Sequence, residues 1–197
     1  TNDANFRRLV DDMQTPSGVL PFVGAGLSIP LKFPGWTGFI LSQGRAAGIE
    51  RQIRKRLTVG QFEEAAEDLL EALGPRAFHD AIEDAFGDHR LNIAKICGPV
   101  ALLPRLASGP VITTNFDHVL ETVFKNAGLP FQDVACGARV DTASKAMTHN
   151  RRVLLKIHGD VNDRTDRILT LKDYRKHYGQ GKLSRPLGHL LKQILSS

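Results

Sequence analysis

The chain has 197 residues, 42% of them apolar and 24% charged, and Lys plus Arg exceed Asp plus Glu by 26 − 21 = 5. That is the composition of one soluble globular domain, 1–197, large enough to bury a substantial core. No apolar run approaches the roughly 18 residues of a membrane span, and the opening Thr1-Asn-Asp-Ala-Asn-Phe-Arg-Arg lacks the apolar segment of a signal peptide. Cys97 and Cys136 stand far apart with no C-x-x-C pair, so neither a zinc ribbon nor a disulfide framework is indicated and a reducing, cytoplasmic setting fits. Arg51-Gln-Ile-Arg-Lys-Arg56 invites a nucleic-acid reading. The remaining charges are dispersed, however, no nucleic-acid motif accompanies them, and the stretch fits a solvated helix face equally well.

In chain order, Phe6, Leu9, Val10 and Met13 recur at helical spacing and predict a short amphipathic helix ending near Pro16-Ser-Gly18. Val19 to Val23 reads as a strand and runs into Gly24-Ala-Gly26 with Ser28 two residues on. Glycine allows φ > 0 and close approach to a ligand, and N–H groups at the start of a following helix suit ribose or phosphate oxygens. The segment therefore has the layout of a nucleotide-binding turn. It is not the dehydrogenase G-x-G-x-x-G, because Ile29 stands at the third glycine, and the chain has no G-x-x-x-x-G-K-[ST]. A tight strand-to-helix connection without a ligand is the competing reading.

Pro30 and Pro34 bracket Ile29 to Gly35, predicting a loop across whatever the glycines bind. Helices are expected over Trp36 to about Ala47 and Ile49 to Arg56. Thr58-Val-Gly-Gln61 has the form of a capping box, and Phe62, Ala65, Ala66, Leu69, Leu70 and Leu73 form the stripe of the helix behind it, closed by Gly74-Pro75. Phe78, Ala81, Ile82, Ala85 and Phe86 repeat the pattern up to Gly87. Residues 36–107 thus read as a helical insertion or subdomain after the first strand.

Val111 to Thr114 is the second strand, and Phe116, Val119, Leu120, Val123 and Phe124 mark a helix. Phe131 to Ala135 is a weaker strand and Cys136 to Asn150 a loop. Val153 to Ile157 is a buried strand, Ile168 to Thr170 a short one, and Leu171 to Tyr178 a helical turn or two. Gly179-Gln-Gly181 followed by Leu183, Leu187, Leu190 and Leu191 reads as a helix leading onward. With Thr1 in place of an initiator Met, this suggests the N-terminal part of a longer protein. Strands separated by helices predict an α/β fold, a Rossmann-like doubly wound parallel sheet.

Three strands end in residues ill suited to a core: Val23 enters Gly24-Ala-Gly26, Thr114 enters Asn115-Phe-Asp117, and Ile157 enters His158-Gly159. Ligands of open α/β sheets bind outside the carboxyl ends of the strands, so the three clusters are candidates for one crevice. Blander readings exist for each: Asn115 as a helix N-cap, Asp117 as a complement to the helix dipole, His158 as a hydrogen-bonded histidine before a turn glycine.

Gly24-Ala-Gly26-Leu-Ser28 resembles the GAG-x-S turn of the sirtuin family, Thr114-Asn115-Phe-Asp117 is similar to its T-Q-N-I-D segment, and Lys156-Ile-His158-Gly159 to its H-G, in the same order. The chain departs from the sirtuin deacylases in three places. It has no four-cysteine zinc module, Thr114 stands where the family has Gln, and no convincing counterpart of the later Gly/Ser-rich adenosine turn appears before Ser197. The pattern looks more like the zinc-free, NAD-hydrolysing sirtuin-like domains of bacterial anti-phage defence proteins.

The resemblance implies NAD as substrate, no metal, and cleavage of the nicotinamide–ribose bond through an oxocarbenium-like centre. It assigns Gly24, Ala25, Gly26 and Ser28 to the phosphates and nicotinamide-side ribose. Trp36, Thr114, Phe116 and Gly159 would be further nucleotide contacts. Asn115 would orient the ribose or the attacking water, and Asp117 would bind the nicotinamide side or tune charge near it. His158 would serve as general base, with an unperturbed pKa near 6.5 suited to that work. Phe33 and Trp36 of the covering loop would pack on the substrate, core packing of Trp36 being the alternative. An unregulated NAD hydrolase would be toxic, so a homo-oligomer and a regulatory or sensor domain or partner are expected. The alternatives are a non-catalytic NAD or ADP-ribose sensor or assembly module, an NAD-dependent protein deacylase, and a basic nucleic-acid-binding domain.

Overall fold

The computed structural model describes residues 2–15, 19–107, 109–137 and 151–179. Four strands, β1 (Phe22–Val23), β2 (Val111–Thr113), β3 (Asp133–Cys136) and β4 (Val153–Lys156), form one wholly parallel sheet in the order β1-β2-β4-β3. Every residue of the two central strands is buried, which is why Val-Ile-Thr and Val-Leu-Leu-Lys read as continuous rather than alternating runs. The edge strands are less covered, with Phe22 and Val134 exposed.

The helices are α1 (Asn2–Met13), α2 (Trp36–Ala46), α3 (Glu50–Thr58), α4 (Phe62–Leu73), α5 (Pro75–Phe86), α6 (Pro99–Leu106), α7 (Val119–Asn126) and α8 (Leu171–His177). Alternation along the strands divides the interior into two cores. Val111 and Leu154 point into the larger one, built from α2 to α7. Ile112, Val153, Leu155 and Ile157 point to the opposite face, where Ile168 and Tyr174 of the α8 segment cover them. Helices on both faces make the sheet doubly wound, as the alternation of strands and helices predicts. Five helices stand between β1 and β2, so residues 36–107 do form a helical block within the α/β frame. None of the helices among the described residues is long and apolar enough to cross a membrane.

Several local expectations need correction. The first strand pairs over Phe22–Val23 only. The Ile29–Gly35 loop contains a 3-10 turn, Ile29–Leu31. Thr58 caps nothing: α3 runs two residues past the expected end at Arg56, so Thr58 is its last residue and donates its hydroxyl to Arg54 O at 2.8 Å. Gln61 stands at the N-cap of α4 without a side-chain cap bond, its amide oxygen taken by Arg56 Nη1 at 3.1 Å. The capping box lies elsewhere, between Thr170 and Asp173 at the head of α8. Ile168–Thr170 is extended but pairs with no strand. Ile168 is buried in the smaller core, and Thr170 turns the chain into the helix.

Helix α1 is amphipathic as its spacing predicts, yet none of its residues is buried. In the basic stretch on α3, Arg54 pairs with Glu50 at 2.6 Å and Arg56 with Asp68 at 2.9 Å. The expected chain turn at Pro16-Ser-Gly18, most of the Cys136–Asn150 loop, and the helix carrying Leu183 to Leu191 lie outside the described residues; Cys136 itself ends β3.

Candidate functional site

The parallel sheet brings the three predicted clusters to one end. Val23 pairs with Thr113, and Thr113 with Lys156, so the residues after each strand emerge side by side at the carboxyl edge. There they surround a cavity of about 280 Å³ lined by Ala25, Ser28, Trp36, Thr114, Asn115, Phe116, Asp117 and His158 among the residues expected from sequence. This volume lies near the lower end for drug-sized ligands.

Side-chain hydrogen bonds stitch the first two clusters together. Thr113 donates its hydroxyl to Val23 O at 2.9 Å and accepts from the Asn115 amide at 3.0 Å, fixing where the backbone leaves β2. Asn115 Nδ2 donates to Ser28 Oγ at 3.0 Å. Asn115 is therefore not an N-cap. The cap position of α7 belongs to His118, and the local cap-like bond is made by Asp117, whose Oδ1 accepts from Val119 N at 3.1 Å. Burial raises the Asp117 pKa above the ordinary carboxylate value, opposed by hydrogen bonds from Val119 N and Ser28 and by the Lys156 charge.

The glycine turn differs from its expected conformation. Ala25–Leu27 is a 3-10 turn, and Gly24, at φ −119°, occupies extended backbone; neither Gly24 nor Gly26 has positive φ. The absent Cβ matters as open space: at Gly26 an added Cβ would meet nothing within 4 Å. The first amide to bond back is that of Leu27, to Gly24 O, so the Ala25 and Gly26 amides precede the hydrogen-bonded run. Gly24, Gly26 and Gly159 do not line the cavity itself. Gly159 has a structural reason: its φ is +95°, and a Cβ there would lie 2.7 Å from Asp166 O and 2.8 Å from Arg167 Cα.

The cavity wall is aromatic. Trp36, the first residue of α2, stacks on Phe39 at 5.4 Å and leans on Phe116 at 5.8 Å, and Phe116 meets Phe86 edge-on at 5.6 Å. Trp36 thus has both a packing role and a face on the cavity. Phe33 does not: it is buried in the larger core.

His158 also lines the cavity, and its Nε2 is 2.8 Å from the Tyr174 hydroxyl. Burial pulls its pKa down from 6.5 to about 4, so the ring is neutral at pH 7 rather than poised there. Sequence reasoning missed Tyr174, along with Pro34, Phe62, Glu63, Phe86, Ile168 and Leu169, which complete the lining. The local signal that could have placed Tyr174 is the Thr170-x-x-Asp173 spacing, which fixes the start of its helix. Among the described residues the lining contains two carboxylic acids, Glu63 and Asp117, and no lysine or arginine.

Behind the site Lys156 is fully buried, its Nζ donating to Phe116 O (3.0 Å), Asp117 O (3.1 Å), Glu121 Oε1 (2.9 Å) and Asp160 Oδ2 (2.6 Å). His118 bridges Asp160 and Asp88, at 2.9 and 2.6 Å. His118, Glu121 and Asp160 have the spacing of a metal-binding group, but the Lys156 ammonium already occupies the carboxylates a cation would use.

No curated protein matches the chain. Over residues 110–197, which carry Asn115, Asp117 and His158, the chain matches the family model of the SIR2-like domain.

Proposed function

We propose that this domain hydrolyses NAD+ at the nicotinamide–ribose bond, giving nicotinamide and ADP-ribose. The observation that carries the reading is the Asn115–Ser28 hydrogen bond, which joins the glycine turn to the end of β2 in the same cavity that His158 lines. A binding module needs no neutral histidine beside an amide-bearing side chain in a small aromatic-walled cavity; cleavage uses both. SIR2-like domains act on NAD, and the cavity suits its nicotinamide riboside half, leaving the phosphates to the Ala25 and Gly26 amides at its edge.

In this reading the aromatic wall of Trp36, Phe86 and Phe116 holds the nicotinamide ring and excludes bulk water. Glu63 and Asp117 supply the negative field that an oxocarbenium-like centre requires, and no cation among the described lining residues opposes it. Asn115, held by Ser28, orients the ribose or the attacking water. His158 accepts the proton that water loses. The pyridinium leaves as neutral nicotinamide, so the chemistry calls for no metal. Depletion of NAD in anti-phage defence, under control of an oligomer or a partner domain, is the physiological role we assign to it.

The test is NAD consumption by the full-length protein without any acyl-lysine peptide, repeated with Asn115→Ala and His158→Ala. Loss of nicotinamide release in both variants supports the reading. Undiminished turnover in both refutes it, and turnover that requires an acyl-lysine peptide makes the protein a deacylase.

A further inference from the structure

His158 cannot receive a proton at Nε2 directly, because the Tyr174 hydroxyl occupies that position at 2.8 Å. Tyr174 also lines the cavity, so the residue whose hydroxyl meets the imidazole borders the space where substrate would sit. Its position is built in. The capping box of Thr170 and Asp173 sets the first turn of α8, and Ile168 N donates to His158 O at 3.0 Å, tying the strand before the helix to the histidine itself. The Tyr174 ring meets the His158 ring edge-on at 5.5 Å and packs on Tyr178 at 5.2 Å. Among the described residues, the ionisable side chains around the pair are Glu63 from α4, Asp117 from the turn after β2, and Tyr178 at the C-cap of α8.

We propose that Tyr174 is a catalytic residue that relays the proton of the attacking water to His158, an inference that rests on the NAD-cleavage reading. Water lends its oxygen to C1′ and loses a proton to the Tyr174 oxygen as the Tyr174 O–H proton passes to His158 Nε2. The C1′–nitrogen bond breaks with its electron pair going to the nicotinamide nitrogen, which becomes neutral. The imidazolium later returns the proton to solvent. Burial raises the Tyr174 pKa and so disfavours a free phenolate. The two transfers are therefore concerted, with the phenol neutral throughout.

The relay requires His158 to carry its proton on Nδ1 and to accept at Nε2 in the resting protein. The experiment uses the full-length protein and Tyr174→Phe, which keeps the ring and its packing and removes the hydroxyl, with thermal melting as the check on folding. Nitrogen NMR of His158, recorded without NAD, reads the tautomer. The Nδ1–H form is expected in the parent and a shift toward Nε2–H in the variant. An unchanged His158 signature overturns the relay whether or not the protein cleaves NAD. In turnover, Tyr174→Phe is expected to lower kcat by about 10- to 100-fold, with KM for NAD within about threefold. A kcat within about twofold of the parent, or higher, also overturns the relay and makes Tyr174 a bystander or a block. A parent protein with no NAD cleavage instead refutes the proposed function, leaving the NMR arm to decide the tautomer.

Discussion

Replacing Lys156 by Met tests whether the site-bearing turn after β2 is held from behind. The ammonium is wholly buried and has four acceptors, two of them carbonyls of the residues flanking the cavity, Phe116 and Asp117. Met fills nearly the same volume, so the cavity contribution is small. What remains is the loss of a cation facing two carboxylates, a change that costs about 3–5 kcal/mol when one partner of a buried pair is removed. Two features place this case at the lower end. Asp160 keeps His118 Nε2 and the Asn162 amide, and the Glu121 side chain is 24% exposed rather than fully buried. A loss of about 3 kcal/mol follows, or roughly 6–12 °C in melting temperature for a domain of this size. Urea denaturation followed by circular dichroism measures it. Lys156→Met/Glu121→Gln should recover part of the loss, because the unpaired charge is then gone. A single-variant loss below about 1 kcal/mol, or no recovery in the pair, refutes the view of Lys156 as the strut of this turn.

Two of the three glycines assigned to nucleotide contact, Gly26 and Gly159, separate cleanly in the structure. Gly26→Ala should leave stability within about 0.5 kcal/mol, since its Cβ meets nothing, while weakening NAD binding by calorimetry; unchanged affinity argues against close approach there. Gly159→Ala should cost more than about 2 kcal/mol in denaturant, from positive φ and a clash with fixed backbone at Asp166 and Arg167. A near-neutral result would mean that this loop is not held as described.

For pH, His158 is neutral when folded and has a pKa of about 4 against 6.5 unfolded, so the unfolded chain binds the extra proton between those values. Stability should fall as pH drops from 6.5 toward 4, by up to about 3 kcal/mol from this group. The stability advantage of the parent over His158→Gln should shrink as pH falls from 6.5 toward 4, and a difference that does not change with pH refutes the assignment. His118 acts in the opposite sense: the Asp160 hydrogen bond raises its pKa, so its contribution is present in acid and lost as pH rises through the folded value. His118→Gln should therefore cost more stability at pH 6 than at pH 9.

The helical block was legible because Phe62 to Leu73 and Phe78 to Phe86 carry uninterrupted 3.6-residue stripes whose buried members, Ala65, Ala66, Leu69, Phe78, Ile82, Ala85 and Phe86, are those the pattern marks. The central strands were legible as apolar runs. Where a tertiary partner decides the outcome, sequence patterns misled. Thr58 and Gln61 have the spacing of a capping box, but the Arg56 guanidinium takes the glutamine oxygen and α3 continues through Thr58. Ile168 to Thr170 has strand composition, yet it packs over the sheet face rather than along its edge. The meeting of the three strand ends was inferable from parallel topology alone. That Asn115 would bond Ser28, 87 residues away, was not. Nor did any local signal bring Tyr174 to His158, since the contact depends on how residues 159–170 travel between them.

That excursion is fastened at its middle as well as its ends. Arg164 reaches Asp80 at 2.8 Å and pairs with Glu83, and the buried Arg167 contacts Glu83, His79 and the carbonyls of Asp160 and Val161. The loop that presents His158 and Tyr174 is thus moored to α5 of the helical block. The block is therefore not an interchangeable ornament on a nucleotide-binding frame. A chimera that imports a foreign helical block must bring acceptors equivalent to Asp80 and Glu83, or move both arginines with it. Descent of such domains by shuffling would then be expected to transmit the two segments together.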